Sequence, residues 1–119
     1  MNSAGRCWLG ALRRIGPLLA LALGCSDGGE APDESAAARG ERIYKNVCIA
    51  CHDADPNVDG SVGPAIAGSS RELLEARVIR GVYPPGYRPK RGGTSMPSFP
   101  YLAEEIANLE VFLDEAAKR

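Results

Sequence analysis

The feature that most constrains this chain is Cys48-Ile49-Ala50-Cys51-His52, two cysteines three positions apart with a histidine directly behind the second. His52 is the only histidine in the 119 residues. Any site built here must therefore be built from these three side chains plus something that is not histidine. The part of the chain around the motif that can fold, residues 36–119, is small. A domain of that size buries little surface by itself and commonly needs a metal or cofactor to complete its core.

Four chemistries use such cysteines. A redox-active C-x-x-C needs a strand before it and a helix after it, whereas here a helical pattern precedes and a Gly/Pro-rich stretch follows. A structural zinc site needs a fourth ligand, usually Cys or His, and once the N-terminal segment carrying Cys7 is removed as a signal peptide only Cys25 remains for that. A simple Cys48–Cys51 disulfide leaves the histidine unexplained. The fourth is covalent attachment of haem, for which C-x-x-C-H is the motif. Two cysteines at this spacing on a turning backbone reach the two vinyl groups of one porphyrin, and the adjacent imidazole becomes a nitrogen ligand beneath the iron.

The N-terminus predicts export. Arg6, Arg13 and Arg14 are the only charges before Asp27, and a ten-residue apolar run follows from Ile15 to Gly24. A bilayer-spanning helix needs roughly 20 apolar residues, so residues 1–24 read as a signal peptide. The run ends in Ala22-Leu23-Gly24-Cys25, which resembles the lipobox of bacterial lipoproteins, with Ala22 where leucine is usual. That resemblance implies lipidation at Cys25 and a membrane anchor on the periplasmic side. Ordinary cleavage after a small residue would instead release a soluble periplasmic protein. Arg13-Arg14 lacks the wider motif of twin-arginine export.

Cleavage after residue 24 removes three of the 14 basic residues and none of the 15 acidic ones, leaving a formal charge of −4. No nucleic-acid partner is indicated by that balance. Residues 25–35 are small, acidic and without apolar period, and read as a flexible linker or a frayed terminus. Residues 36–119 form the domain.

Three helices are predicted within it. The first runs from about Ser35 to Cys48, with Ser35 as cap and Ile43 and Val47 on one face. The second runs from about Ser70 to Arg80. Ser69-Ser70-Arg71-Glu72 has the capping-box pattern, Leu73, Leu74, Val78 and Ile79 form its stripe, and Gly81 is placed to end it. The third runs from about Leu102 to Ala117, with Leu102, Ile106, Leu109 and Leu113 recurring at three or four residues. No segment alternates long enough for a sheet, so the fold class is all-α. The long Gly/Pro-rich stretch from Tyr83 to Pro100 needs something central to pack against.

At this point the chain is similar to class I c-type cytochromes. Gly40-Glu-Arg-Ile-Tyr44 leading into the C-x-x-C-H resembles the opening of that family. Gly63-Pro64-Ala65-Ile66-Ala67-Gly68 resembles its G-P-x-L-x-G segment, and Met96-Pro97-Ser98-Phe99 its M-P-x-F segment. Ile106 to Leu113 resembles its C-terminal helix. The likeness spans essentially the whole folded part and implies three or more helices wrapped around one covalent haem c (heme c). It implies that Phe112 packs near Gly40, that His52 Nδ1 donates to the Pro64 carbonyl, and that Met96 is the second axial ligand to the iron. A lone methionine ordinarily fills a core gap. Met96, however, is the only methionine left after cleavage, sits in a loop and precedes a proline. Lys45 and Lys90 are possible ligands that nothing marks out.

The implied function is one-electron transfer between redox partner proteins, with no small-molecule substrate and no catalysis. A small haem enzyme or gas sensor needs an open sixth position, which Met96 argues against. A fixed redox module of a larger complex is the third reading. Two segments stay unassigned. Arg80–Arg91, with four basic residues and Tyr83 and Tyr87, suits haem propionates, an acidic partner or solvent. Asp53–Asp59 is an acidic stretch that reads as a spacer.

Overall fold

The structure, a computed structural model, describes residues 33–92 and 96–119. The expected signal peptide of residues 1–24, the lipidation site Cys25 and linker residues 25–32 lie outside the described residues. All described residues fall within one compact unit, Pro32–Arg119.

Helix α1 spans Ala36–Val47 and begins where the sequence places it: Ser35 Oγ accepts from the Ala38 N–H at 3.2 Å. Satisfying one of the orphan donors of the first turn in this way stabilises a helix by about 1 kcal/mol. Its buried face is Gly40, Ile43 and Tyr44. That face meets α3, Ile106–Ala116, whose Ile106, Leu109, Phe112, Leu113 and Ala116 are all buried. The two helices touch at Gly40. A Cβ there would run into the Asn108 carbonyl and come within 2.8 Å of Phe112 Cβ, so only glycine permits this approach. One turn further on, the Tyr44 and Phe112 rings pack 5.4 Å apart at 48°, within the favoured range for aromatic pairs. At the exposed edge of the crossing, Arg39 forks onto Glu105.

The second helical segment departs from expectation in two ways. Its cap is Ser70, whose Oγ accepts from Leu73 N–H at 3.3 Å. Ser69 instead donates its hydroxyl to the Ile66 carbonyl at 2.7 Å. With the cap one residue later, Glu72 misses the third position and no capping box forms. Further, α2 is regular only over Arg71–Leu74 and continues as a π turn over Glu75–Ile79. Gly81, at φ +70°, ends it as expected. The third helix is preceded by a 3-10 segment, Pro100–Glu105, so its first turn is tighter than the α-helix predicted from Leu102. Pro100 at the start suits this, because its missing N–H would have no partner there.

No strand occurs among the described residues, and the fold is all-α. The core joins Ile43 and Tyr44 of α1, Leu74 and Val78 of the second segment, Leu102, and the buried stripe of α3. Asp53–Asp59 is not a slack spacer. Asp53 Oδ1 accepts from Asp55 N–H and Asp55 Oδ1 from Asn57 N–H, each at 2.9 Å. Such side-chain-to-backbone bonds two residues ahead fold an acidic loop into consecutive turns. The loop is then tied to the end of α3, where Asn57 Nδ2 donates to Ala116 O at 2.9 Å, and further along the same stretch Gly68 N–H donates to Leu113 O at 2.9 Å.

Candidate functional site

The C-x-x-C-H motif is wound onto the end of α1. Cys48 caps the helix, its N–H bonded to the Tyr44 carbonyl, and a short 3-10 turn follows over Cys48–Ala50. Cys51 and His52 both return their N–H groups to Cys48 O, at 3.1 and 2.9 Å. One carbonyl thus gathers all three residues of the motif into a single turn. Cys48 packs against the hydrophobic core, and burial pushes its thiol up to about 11. Cys51 instead lines a cleft.

His52 is held from two sides. Its Nδ1 lies 2.7 Å from Pro64 O. A carbonyl only accepts, so Nδ1 carries the proton and Nε2 keeps its lone pair. Such a bond fixes the tautomer and raises the donor strength of the other nitrogen. Gly63 presses on the ring itself, since a Cβ there would stand 2.5 Å from Cε1 and 2.6 Å from Nδ1. The Gly63–Pro64 segment is in turn hung from the motif, with Gly63 N–H donating to Cys51 O at 2.9 Å. Behind the histidine, Tyr44 Oη donates to Asp53 O at 2.6 Å. Burial, followed by the nearby Cys48, Asp53 and Asp55, pushes the Tyr44 phenol up to about 12. It remains a neutral donor across the physiological range.

His52, Cys51 and Met96 line one cleft of about 810 Å³, partly open to solvent. Its walls are mainly apolar, supplied by Val62, Ile66, Leu73, Leu74 and Val78. Met96 is partly buried and packs against the core. The chain segments around the cleft are tied together by backbone acceptors: Lys90 Nζ donates to Ala65 O at 2.8 Å and Arg91 Nη1 to Gly60 O at 3.0 Å. Tyr83 and Tyr87 stack at 5.3 Å, and the Arg77 guanidinium lies 4.3 Å over Tyr83. Of the basic stretch Arg80–Arg91, Lys90 and Arg91 thus line the cleft and brace its loops, whereas Arg80 and Arg88 do not line it.

Two contributors escape sequence reasoning. Gly63 could be quoted as part of a motif, but its contact with the imidazole depends on how the loop folds back. Arg77 reaches the cleft from the polar side of a helical segment, where an arginine is ordinarily solvated. No sequence signal separates it from Arg71 or Arg80.

An apolar cleft carrying histidine, the second cysteine of a C-x-x-C-H turn and a methionine fits a covalent porphyrin. The side chains lining it include an imidazole and a soft thioether, and among the described residues no group of three His, Cys, Asp or Glu side chains forms a rival metal site. In a small all-α domain these features define a c-type monohaem cytochrome domain. A family model described as cytochrome C oxidase, cbb3-type, subunit III matches residues 35–113, and the chain belongs to that family. No curated protein and no solved structure gives a significant match. The domain binds haem c covalently, and Cys48 and Cys51 lie in its C-x-x-C-H motif. Its work is haem-based electron transfer with redox partner proteins. No helix among the described residues is long and apolar enough to cross a membrane.

Proposed function

We propose that the protein is a one-electron carrier whose haem is bound through thioethers at Cys48 and Cys51 and ligated by His52 Nε2 and Met96 Sδ. The observation that carries this reading is that His52, its Nδ1 already engaged by Pro64 O, lines the same cleft as Met96. When bound, the haem would supply a ferric/ferrous couple, and a soft thioether from Met96 together with the His52 imidazole would favour the ferrous state and a raised potential. Pro64 O and Gly63 hold the imidazole in one orientation. The mainly apolar walls would limit the water that reaches the bound group. With His52 and Met96 both engaged by the bound group, no position would be left for oxygen, peroxide or a substrate, which suits a carrier and not an enzyme.

Residues 1–24 direct export, and Cys25 carries a lipid that holds the domain on the periplasmic side of a bacterial membrane, exchanging electrons with soluble or membrane-bound partners. The family description favours a second reading, in which the domain is a fixed relay of an oxidase assembly. Co-purification with an oxidase from native membranes separates the two.

The test is haem staining of the mature protein under denaturing conditions, followed by its ferric spectrum. Retained colour and a weak sulfur-to-iron band at the red end support the reading. Colourless protein from a host able to attach haem c, or zinc held between the two thiols, overturns it. Lipid labelling of wild type against Cys25→Ala tests the anchor.

A further inference from the structure

The π turn Glu75–Ile79 has no part in the electron-carrier reading so far. Such turns are rare in proteins and concentrate at functional sites. Here Arg80 N–H bonds Glu75 O at 3.3 Å, and Val82 N–H reaches back past Val78 to Ala76 O at 3.0 Å. In an unbroken α-helix Val82 N–H would take Val78 O. That carbonyl is instead taken by Phe99 N–H, at 2.5 Å. Phe99 lies three residues after Met96, and the Val78 side chain lines the cleft together with Met96. The helical register is therefore broken at the residue whose carbonyl receives the methionine segment.

Gly81 completes the arrangement. It stands at φ +70°, and a Cβ there would meet only Ser98 Cβ, at 3.6 Å. Backbone conformation, not space, demands glycine at this position. Arg77 Nη1 donates to Gly81 O at 2.7 Å, bracing the turn from the cleft side.

We propose that the π turn, closed by Gly81, is a clamp that positions Met96, with the Val78 carbonyl as its point of grip. How readily Met96 leaves is then set at Gly81, outside the methionine segment. The consequence for ligation rests on the reading of Met96 as an iron ligand; the grip on Phe99 does not.

The experiment compares the holoprotein with Gly81→Ala, Gly81→Asn and Ala116→Gly. Ala116 is buried at the far end of α3 and takes part in none of the clamp's hydrogen bonds, so its glycine variant serves as a control for general destabilisation. Two quantities are read: the hydrogen-exchange rate of the Phe99 amide, and the imidazole concentration that abolishes the sulfur-to-iron band. The left-handed penalty of an ordinary residue predicts about tenfold faster exchange in Gly81→Ala and an imidazole midpoint lowered by the same factor. Asparagine visits that conformation more readily and should stay within about threefold of wild type. Ala116→Gly should lower the melting temperature yet leave both readouts within about twofold. Unchanged Phe99 exchange in Gly81→Ala overturns the clamp, as does an equal response in Ala116→Gly. If the wild type shows no sulfur band, the ligation reading falls by itself, and Phe99 exchange still decides the clamp.

Discussion

Gly63 and His52 are in direct contact, with the glycine Cα close enough to the imidazole that a methyl group has no room between them. The bond from Nδ1 to Pro64 O depends on that closeness. Gly63→Ala must therefore tilt the ring or push the loop away, and overpacking of this kind costs about 1–3 kcal/mol. Thermal unfolding of the holoprotein should show the loss. A variant as stable as wild type, with an unaltered spectrum, would mean the loop yields freely and does not orient the histidine.

Met96→Ala should leave haem covalently attached, abolish the sulfur-to-iron band and lower the reduction potential on the order of 100 mV or more, within the span of about 0.8 V that axial ligands command. Redox titration is the decisive measurement. An unchanged potential would remove Met96 from the iron.

Tyr44→Phe deletes the only side-chain bond to Asp53 O shown by the structure while keeping the ring packed on Phe112. Leaving a partly buried carbonyl without its donor costs about 1–3 kcal/mol. Chemical denaturation should reveal this with little movement of the potential, because the phenol touches the residue after His52 and not the ring. A large potential shift with no stability loss would contradict that separation.

Acid sensitivity should centre on Glu105. Hydrogen bonds from Arg39 first, then Asn108, together with nearby positive charge hold its carboxyl down to about 2 from an ordinary 4.5. A folded value below the unfolded one means the stabilisation is fully present above about pH 4.5 and is lost as pH falls towards 2. Glu105→Gln should melt below wild type at neutral pH, and the gap should close across that window and shrink with added salt. A gap independent of pH would mean the pair contributes packing and not charge.

Much of the frame was legible because it depends on neighbours in the chain. The Ser35 cap, the stripe of Leu102, Ile106, Leu109 and Leu113, and the stop at Gly81 all follow from local periodicity and capping chemistry. The contact of Gly40 with Phe112 came from a likeness between families, since no local pattern pairs residues 72 positions apart. The π turn was not legible. The same stripe serves an α-helix, and the register change depends on a bond from Phe99, which arrives from a distant loop. Ser69 and Ser70 are equal candidates for a cap until the Ile66 carbonyl claims one of them. At the site, the motif pointed to His52 and Cys51 directly. Arg77 was invisible because its place over Tyr83 depends on how residues 81–87 double back.

The stretch that steadies His52 is fastened to α3, far along the chain from the cysteines, where Gly68 N–H donates to Leu113 O. During synthesis and export the two thiols emerge long before their surroundings can be completed. A chain clipped ahead of Leu113 would still present the cysteines to the attachment machinery, yet would lack the final turns against which the histidine's support closes. The histidine's support therefore closes only after α3 has followed the thiols out.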